Sequence, residues 1–341
     1  MDTRYSRQIL FAPIGRSGQE KLGQSRVAIV GMGALGTVLS NHMVRAGVGF
    51  VRLIDRDFVE PSNLQRQMLY DESDAAEHLP KAIAAHAKLS KINSQVTIEP
   101  IVADLTAYNA EQYLTDVDLV LDATDNFQVR YLVNDVCVKH SIPWVYGGAV
   151  SATGTFTAIR PGTTPCLRCL FPEAPNPGEM ATCDTAGVIG PIIHIVASYQ
   201  ATEAFKMLVG ATDALNPNLE HFEIWNNRHQ QIKVSNGRRA DCPACGQREF
   251  AFLQPDTPEG QAVSLCGRDT VQISPSAAIS LDLDALAERL APLGQIERNK
   301  FLLRFRVEPY TLVVFPDGRV LVQGTDDSSL ARTLHAKYIG A

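Results

Sequence analysis

The stretch VAIVGMGALG, residues 27–36, decides the fold of this chain. Four apolar residues, typical of a buried strand, precede Gly31, Gly33 and Gly36 in G-x-G-x-x-G spacing. The apolar positions that follow recur at helical spacing, so the pattern predicts a strand, a tight glycine turn and a helix. In that arrangement backbone N–H groups approach a phosphate at the positive end of the helix. The glycines alone do not name the nucleotide, because NAD, FAD and ATP sites share them.

The rest of the first half alternates apolar strands with helices. The predicted strands that follow are FVRLID (50–55), VTIEPIV (96–102), VDLVLD (117–122) and PWVYGGAV (143–150). Helical patterns lie between them, at 81–93 and after Asn126. Strand, helix and strand in succession imply an α/β fold with a Rossmann-like, doubly wound and mainly parallel sheet.

From about Ser151 the pattern becomes less regular, and a stretch rich in Pro, Gly and Gln follows at 253–263. We predict a nucleotide-binding domain over 1–252, a Pro- and Gly-containing linker over 253–264 and a small α+β domain over 265–341. In the small domain the pattern predicts a strand, a helix, two or three strands and a final short helix, at 269–273, 282–293, 300–323 and 327–338. The sequence does not define the role of this domain.

Composition and charge narrow the possible partners. The 341 residues carry a net charge of −6, which gives no support for a nucleic acid or an anionic membrane as partner. The N-terminal MDTRYSRQIL lacks a long apolar run, and no apolar stretch is long enough to span a bilayer, so we expect neither a signal peptide nor a membrane segment. Seven cysteines without an export signal favour the reducing cytoplasm.

Charged residues follow the second strand at the edge where doubly wound sheets bind ligands. Asp55 closes that strand and suits a carboxylate that accepts hydrogen bonds from a ribose. The segment RDFVEPSNLQRQ then supplies Asn63, Gln65, Arg66 and Gln67, more polar groups than an NAD site needs at this point. Arg66 and the later Lys81 provide the positive charge that steadies a triphosphate during reaction.

A further acid lies at the same sheet edge. The strand LVLD ends at Asp122, and Asp125 follows three residues later, with Asn126 beside it. A carboxylate next to a phosphate-binding loop is well placed to hold Mg²⁺. The ordered set of groups therefore favours a magnesium–ATP site.

Four cysteines form two C-x-x-C pairs. They are Cys166 and Cys169 in CLRC, and Cys242 and Cys245 in CPAC. One such pair alone could be a redox pair, but two pairs in one chain indicate a tetrahedral Zn²⁺ site with four thiolates. Four thiolates leave no open coordination position, so we expect a structural role for the metal.

Several of these motifs occur together in one known family. RYSRQ (4–8), GMGALG, LIDRDFVEPSNLQRQ, PK (80–81), DATDN (122–126), CLRC, TCDTAGV and CPAC resemble the ThiF/MoeB/HesA family of E1-like adenylyltransferases over roughly residues 1–250. The resemblance implies attack on ATP by the terminal carboxylate of a ubiquitin-like sulfur carrier ending in Gly-Gly, which gives an acyl-adenylate and pyrophosphate. It is greatest to members that serve thiamine thiazole biosynthesis with a ThiS-like carrier; those of molybdopterin synthesis are near neighbours.

The same resemblance implies roles for single residues. The glycine loop, including Ala34 where some relatives have glycine, would hold phosphate and Asp55 the ribose. The phosphate contacts implied are Asn63, Gln65, Arg66 and Lys81. Asp125 would organise Mg²⁺, and Asn126 lies in the same loop beside the nucleotide.

Two further roles rest on the resemblance. Arg7 in RYSRQ matches an arginine that reaches into the ATP site of the other protomer, which implies a homodimer. Cys183 in TCDTAGV matches a cysteine that takes the acyl group or joins the carrier in an acyl-disulfide.

Two alternative functions belong to other classes. One is an NAD-dependent oxidoreductase on the same kind of sheet, and the other is a non-catalytic scaffold for a ubiquitin-like partner.

Overall fold

The protein is described by a computed structural model that covers residues 3–174, 183–254, 262–265, 269–275 and 279–340. Its described residues divide into two compact units. The first contains the chain up to residue 174 together with 187–254, and the second contains 183–186 and the residues from 262 onwards. The domain boundaries at 252 and 265 stay a prediction.

Up to residue 150, the elements of the first 254 residues follow the predicted order. In chain order they are α1 (Ser6–Leu10), α2 (Gly15–Gln24), β1 (Arg26–Val30), α3 (Ala34–Ala46), β2 (Phe50–Asp55), α4 (Glu72–Ala76), α5 (Lys81–Ile92), β3 (Thr97–Val102), α6 (Ala110–Leu114), β4 (Leu119–Asp122), α7 (Phe127–His140), β5 (Trp144–Val150), β6 (Thr153–Ile159), α8 (Leu167–Leu170), α9 (Cys183–Ala186), α10 (Gly190–Val209), β7 (Asn218–Glu223) and β8 (Arg228–Lys233). Of these, only α9 belongs to the second unit.

The first unit is built on an eight-stranded sheet in the order β3-β2-β1-β4-β5-β6-β7-β8. The strands from β3 to β5 pair in parallel and the last three pairs are antiparallel, which confirms the mainly parallel doubly wound sheet. In the register, Val30 pairs with Ile54 on one side and with Asp122 on the other. The three central strands therefore end level with one another, and the loops after them meet at one edge.

Strand β1 is buried on both of its faces. Val27 and Ile29 belong to the core that includes residues of α3, α5 and α10, whereas Ala28 and Val30 belong to the core that includes residues of α6 and α7. Such double burial explains the continuous apolar run in its sequence.

Within the described residues, none of the helices has both the length and the apolar character that crossing a bilayer requires.

The second unit has its own sheet and core. Its further elements are β9 (Ala262–Leu265), β10 (Thr270–Ile273), α11 (Leu283–Leu290), β11 (Gln295–Arg298), β12 (Leu303–Val307), β13 (Tyr310–Val314), β14 (Val320–Gln323) and α12 (Ser328–Tyr338). The six strands form an antiparallel sheet in the order β11-β12-β13-β14-β10-β9, and residues of both helices share its core. The small α+β unit is thus confirmed. However, β9 begins within the stretch predicted as linker, and β11 was not predicted.

Candidate active site

The glycine loop connects β1 to α3 with close backbone packing on both sides. Gly31 has φ +93°, and a Cβ there would lie 2.7 Å from the carbonyl oxygen of Ala123 in the next loop. A Cβ on Gly36 would lie 2.0 Å from the carbonyl oxygen of Gly31. Ala34 begins α3 with helical backbone, so its methyl group is tolerated. No side chain caps α3 after Gly33, which leaves the positive end of the helix open to an anion.

Asp55 is tied to this loop. Its Oδ2 accepts a hydrogen bond from the backbone N–H of Met32 at 2.6 Å, and its Oδ1 accepts one from Asp57 N at 2.7 Å. Burial raises the pKa of the carboxyl group, and the positive charge of Lys81 opposes that rise. Asp55 therefore lies against the glycine loop, within electrostatic reach of Lys81. Its contact with a ribose stays a prediction.

Lys81 is the first residue of α5, and its side chain is only 5 % exposed. Its Nζ lies 3.2 Å from Oδ2 of Asp57. A buried ammonium group needs such a counterion, because desolvation otherwise favours its neutral form. The sequence analysis missed Asp57; the signal was the second acid in LIDRD, two residues after Asp55.

Arg56, in the loop after β2, interacts with carboxylates of the loops after β3 and β4. Its Nη1 lies 3.1 Å from Oδ2 of Asp104, in the loop after β3. Burial alone would lower the pKa of Arg56, but the carboxylates of Asp104, Asp57 and Asp125 raise it. Asp125 is exposed in the loop after β4, and its charge acts on Arg56 in the loop after β2. Its role in holding Mg²⁺ stays a prediction. Arg56 is a second group that the sequence analysis missed.

Polar side chains of the segment after β2 form hydrogen bonds within that segment. Oδ1 of the buried Asn63 accepts a hydrogen bond from Glu60 N at 3.1 Å. Nη1 of Arg66 donates to the carbonyl oxygen of Ser62 at 2.9 Å, and the Gln65 side chain is exposed. Asn63 and Arg66 thus stabilise the turn that carries them. Their phosphate contacts, and that of Gln65, stay predictions.

Asn126 has a structural role that the sequence analysis did not assign. It is the N-cap of α7, and its Oδ1 accepts hydrogen bonds from the N–H groups of Gln128, at 2.8 Å, and Val129, at 3.4 Å. The asparagine therefore orients the start of α7 directly after Asp125. Its contact with a nucleotide stays a prediction.

Gln67 and Tyr70 pack behind the glycine loop. The Tyr70 hydroxyl donates to the carbonyl oxygen of Met32 at 2.7 Å and also lies 3.1 Å from the carbonyl oxygen of Lys81. Gln67 is 4 % exposed, and its Oε1 has no hydrogen-bond partner among the described residues. Both side chains connect the segment after β2 to the glycine loop, a tertiary relationship that no local sequence signal reports.

Arg7 lies away from this edge within its own chain. It is exposed in α1, and the adjacent Gln8 donates to the carbonyl oxygen of Ala46 at 3.0 Å, at the far end of α3. Helix α3 has 13 residues. At the standard rise it is about 20 Å long. The structure therefore does not bring Arg7 to the glycine loop of its own chain.

The four predicted metal ligands form one cluster. Sulfur atoms of Cys166 and Cys242 are 3.6 Å apart, those of Cys169 and Cys245 are 3.3 Å apart, and all four lie within 4.8 Å of one another. A tetrahedral zinc with four thiolates spaces its sulfurs by about 3.8 Å, so the cluster fits zinc. The pKa of Cys169 is lowered, chiefly because the Cys166 thiol donates to its sulfur.

The side chains of two cysteines lie outside the described residues. Cys183 begins the short helix α9, and its side chain lies outside the described residues. Cys266 lies outside them altogether. The covalent role of Cys183 stays a prediction.

A doubly wound sheet, a glycine loop that begins a helix and a carboxylate beside that loop are typical of nucleotide-binding α/β proteins. The chain belongs to the ThiF family, whose model matches residues 5–244. This confirms the resemblance noted in the sequence and argues against the NAD-dependent alternative.

Three similar proteins give this family context. The sulfur carrier protein ThiS adenylyltransferase of Bacillus subtilis is 46 % identical, with all of both chains covered. The SAMP-activating enzyme E1 of Haloferax volcanii is 38 % identical over 77 % of this chain and 96 % of its own. The crystal structure of E. coli MccB has the same fold, with a TM-score of 0.64, 23 % identity and 75 % of each chain covered.

Proposed function

We propose that the chain is an ATP-dependent adenylyltransferase that activates the C-terminal Gly-Gly carboxylate of a ThiS-like sulfur carrier for thiamine thiazole biosynthesis. The observation that carries the proposal is the 46 % identity to the Bacillus subtilis enzyme, because that match extends through the C-terminal unit. The family model ends before this unit, at residue 244. The proposal places the enzyme in the reducing cytoplasm, where its thiols stay available for metal.

The proposed reaction converts an unreactive carboxylate into an acyl-adenylate. One carboxylate oxygen of the carrier bonds to the α-phosphorus of ATP, the bond from that phosphorus to the bridging oxygen breaks, and pyrophosphate leaves. The attack brings an anion towards a polyanion, so fixed positive charges lower the barrier. The product is a mixed anhydride that a sulfur nucleophile can open.

The site offers groups for the phosphates and the ribose of ATP. The N–H groups at the start of α3 would hold phosphate oxygens, and Asp55 would accept hydrogen bonds from the ribose hydroxyls. Lys81 and Arg66 would offset the negative charge of the phosphates. The exposed carboxylate of Asp125 supplies the oxygen ligand that Mg²⁺ prefers, and bound Mg²⁺ would neutralise phosphate charge.

We also propose that the active unit is a homodimer in which Arg7 of one protomer serves the site of the other. Arg7 is about one length of α3 from its own glycine loop, so it cannot act there. Leu10 and Phe11, which follow it, are 72 % and 60 % exposed. Neighbouring apolar side chains so exposed suit burial against a second copy.

A structural zinc completes the proposal. The Cys166 and Cys169 turn follows β6, and the Cys242 and Cys245 turn follows β8, so one ion would join two segments distant in sequence. Four thiolates leave no coordination position for substrate. The metal would therefore stabilise the fold and take no part in adenylation.

A second candidate is the same chemistry on another sulfur carrier. The 38 % identity to a SAMP-activating enzyme favours this alternative, because 77 % of this chain matches 96 % of that relative. A MoeB-type enzyme, which activates the small subunit of molybdopterin synthase, would use the same residues. The carrier that binds decides between these possibilities.

The test is ATP–pyrophosphate exchange with each Gly-Gly carrier of the same genome. Exchange that depends on the ThiS-like carrier, together with a carrier whose intact mass gains AMP, is expected. Asp125→Ala should abolish exchange while carrier binding persists. Glu111→Gln, which removes an acid paired with Lys139 at 2.9 Å, is the matched control and should exchange normally. Exchange without any carrier, or by Asp125→Ala, contradicts the proposal.

A further inference from the structure

Asp57 is a charged group at the nucleotide edge that the proposed reaction does not use. Its backbone N–H donates to Oδ1 of Asp55 at 2.7 Å, and its carboxylate lies 3.2 Å from Nζ of Lys81. In the proposed function Asp55 contacts the ribose and Lys81 the phosphates. Asp57 therefore contacts both groups, although no step of the proposed reaction requires Asp57 itself to contact ATP.

Lys81 is held by Asp57 at two points. Its backbone N–H donates to the carbonyl oxygen of Asp57 at 2.9 Å, and its ammonium group faces the carboxylate of the same residue. The backbone contact continues in an antiparallel bridge between Phe58 and Pro80. The backbone pairing thus fixes where α5 begins, and the side-chain contact fixes where its first ammonium group lies.

The Asp57 carboxylate is also held from its other side. Its Oδ2 faces Lys81, whereas its Oδ1 lies 3.8 Å from Nε of Arg56. Arg56 is in turn paired with Asp104, in the loop after β3, at 3.1 Å. The carboxylate therefore lies between two cations, which restricts its rotation. A carboxylate held in this way can define the position of a flexible ammonium group.

A lysine needs such support more than an arginine does. Four rotatable bonds separate its ammonium group from the backbone, and fixing them costs side-chain entropy. The Lys81 side chain is also almost completely buried, and burial without a counterion favours the neutral amine. Charge that is in place before the reaction stabilises the transition state without rearrangement. A charged and fixed Lys81 therefore suits the departure of pyrophosphate.

The carboxylate has an opposing effect as well. Its negative charge lies near the proposed phosphate site and would repel ATP. If Lys81 stayed charged and in place without Asp57, removal of this carboxylate would favour ATP. The burial of the ammonium group favours the other outcome, in which Lys81 loses its proton or turns away. The sign of the effect of removing the charge therefore distinguishes the two roles of Asp57.

We propose that Asp57 is a positioning residue for adenylation: its carboxylate keeps the Lys81 ammonium charged and directed at the phosphates of ATP, while its backbone N–H holds the Asp55 carboxylate. The inference rests on the proposed function and deepens it, because it assigns a residue that acts through Lys81 without contacting substrate. One residue then joins the ribose side of the site to the phosphate side.

The first test is Asp57→Asn, which removes the charge and keeps the size and the backbone contacts of the residue. With purified ThiS of Bacillus subtilis as the carrier, kcat/KM for ATP in exchange should fall roughly ten-fold. Asp57→Glu returns the charge and should recover part of the loss. Asp71→Asn is the matched control, because Asp71 is an exposed counterion of Lys88, another lysine of α5, at 2.6 Å. This control should exchange normally.

The second test determines whether Asp57 acts through Lys81. Asp57→Asn is combined with Lys81→Met, and transfer of AMP to the carrier in a single turnover is followed by intact mass, which extends the comparison to slow variants. In the Lys81→Met background, Asp57→Asn should lower the rate less than about two-fold or raise it, because the lysine is gone and a repelling carboxylate has been removed. A structural defect would lower the rate in both backgrounds.

The third test is the pH dependence of exchange by wild type and Asp57→Asn. The charged groups around Lys81 are the carboxylates of Asp57 and Asp55, with Arg56 behind Asp57, and the Tyr70 hydroxyl lies 3.1 Å from the Lys81 carbonyl oxygen. A buried ammonium group that lacks its counterion loses its proton more readily as the pH rises. The ratio of the wild-type kcat/KM to that of Asp57→Asn should therefore grow between pH 7 and pH 9.

The outcomes separate this inference from the proposed function. A kcat/KM for ATP that rises in Asp57→Asn, or stays within about two-fold of wild type, overturns the inference. Equal losses in the two backgrounds, a ratio that is constant with pH, or an Asp57→Asn protein that does not fold assign Asp57 a structural role and also overturn it. Where the Lys81→Met proteins are too slow to follow, the pH ratio decides. Wild type without carrier-dependent exchange rejects the proposed function itself, and the inference with it.

Discussion

Arg130 and Asp122 form an ion pair beneath the loop that carries Asp125, with Nε of Arg130 3.2 Å from Oδ2 of Asp122. Both side chains are almost completely buried. Burial raises the pKa of Asp122, and the charge of Arg130 opposes that rise. Arg130 Nη2 also donates to the carbonyl oxygen of Thr124 at 2.5 Å, and the Asp122 carboxylate accepts from Thr124 N at 2.9 Å. The pair thus holds both backbone groups of the residue before Asp125.

Removing one partner of this pair should weaken both the fold and the site. Arg130→Met leaves a buried carboxylate without its counterion and should lower the free energy of unfolding by about 3–5 kcal/mol in urea titrations. Arg26→Met is the control, because its pair with Asp116 is about half exposed and contributes about 0–1 kcal/mol. Where Arg130→Met still folds, half-maximal exchange should require more Mg²⁺. Equal losses of unfolding free energy in Arg130→Met and Arg26→Met would contradict the structural role of the buried ion pair.

Mixing two inactive variants should restore activity if Arg7 acts across a dimer. In a heterodimer of Arg7→Ala and Asp125→Asn, one site has an intact Asp125 and receives Arg7 from the partner. Random exchange of subunits gives half heterodimers with one working site each, so about a quarter of wild-type exchange should return. If Arg7 acted within its own chain, both sites of the heterodimer would be defective. If exchange activity does not return after subunit exchange has been confirmed, Arg7 does not act across the dimer as proposed.

The central sheet and its ligand edge are readable from the sequence because their signals are local. Strand β1 is apolar throughout, since both faces are buried, and the glycine spacing follows it directly. Asp55 is predictable for the same reason, as the last residue of the next apolar strand. Lys81 is predicted to contact phosphate because of the family resemblance. The local pattern alone indicates an ordinary surface cation.

Other features depend on tertiary contacts that leave no pattern. Asp57 becomes the counterion of Lys81 only because α5 returns to the end of β2. Strand β8, with the sequence RHQQIK, is exposed at every position, so no alternation marks it, and its pairing with β7 defines it. The sequence NLQRQ likewise gives no sign that Gln67 is buried, because the pattern indicates only one more polar residue of a loop.

The cysteine cluster should hold one zinc ion per chain and support stability. Cys242→Ser removes one of four thiolates, so metal analysis of the purified protein should find little zinc, and the melting temperature should fall. Cys137→Ser is the matched control, because Cys137 is buried in α7 outside the cluster, and this variant should keep its zinc. A Cys242→Ser protein with a full zinc content would show that the cluster is not the metal site.

Asp135 should make stability depend on pH. It lies in α7 and accepts a hydrogen bond from Phe252 N at 3.0 Å. Burial raises its pKa from 3.8 to about 6. The folded protein therefore holds this proton more tightly than the unfolded chain, and the stabilisation is lost as the pH rises from about 4 through 6.

Asp135→Asn keeps a hydrogen-bond acceptor for Phe252 and removes the titration. The free energy of unfolding of wild type, relative to this variant, should fall by about 1–2 kcal/mol between pH 5 and pH 8 in urea titrations. Both proteins share the cysteine cluster, so its own pH dependence cancels in the difference. Asp213→Asn makes the same chemical change at an exposed position and controls for the loss of one charge. A difference between wild type and Asp135→Asn that stays constant over this range would mean that Asp135 is ionised throughout, and that burial does not dominate its environment.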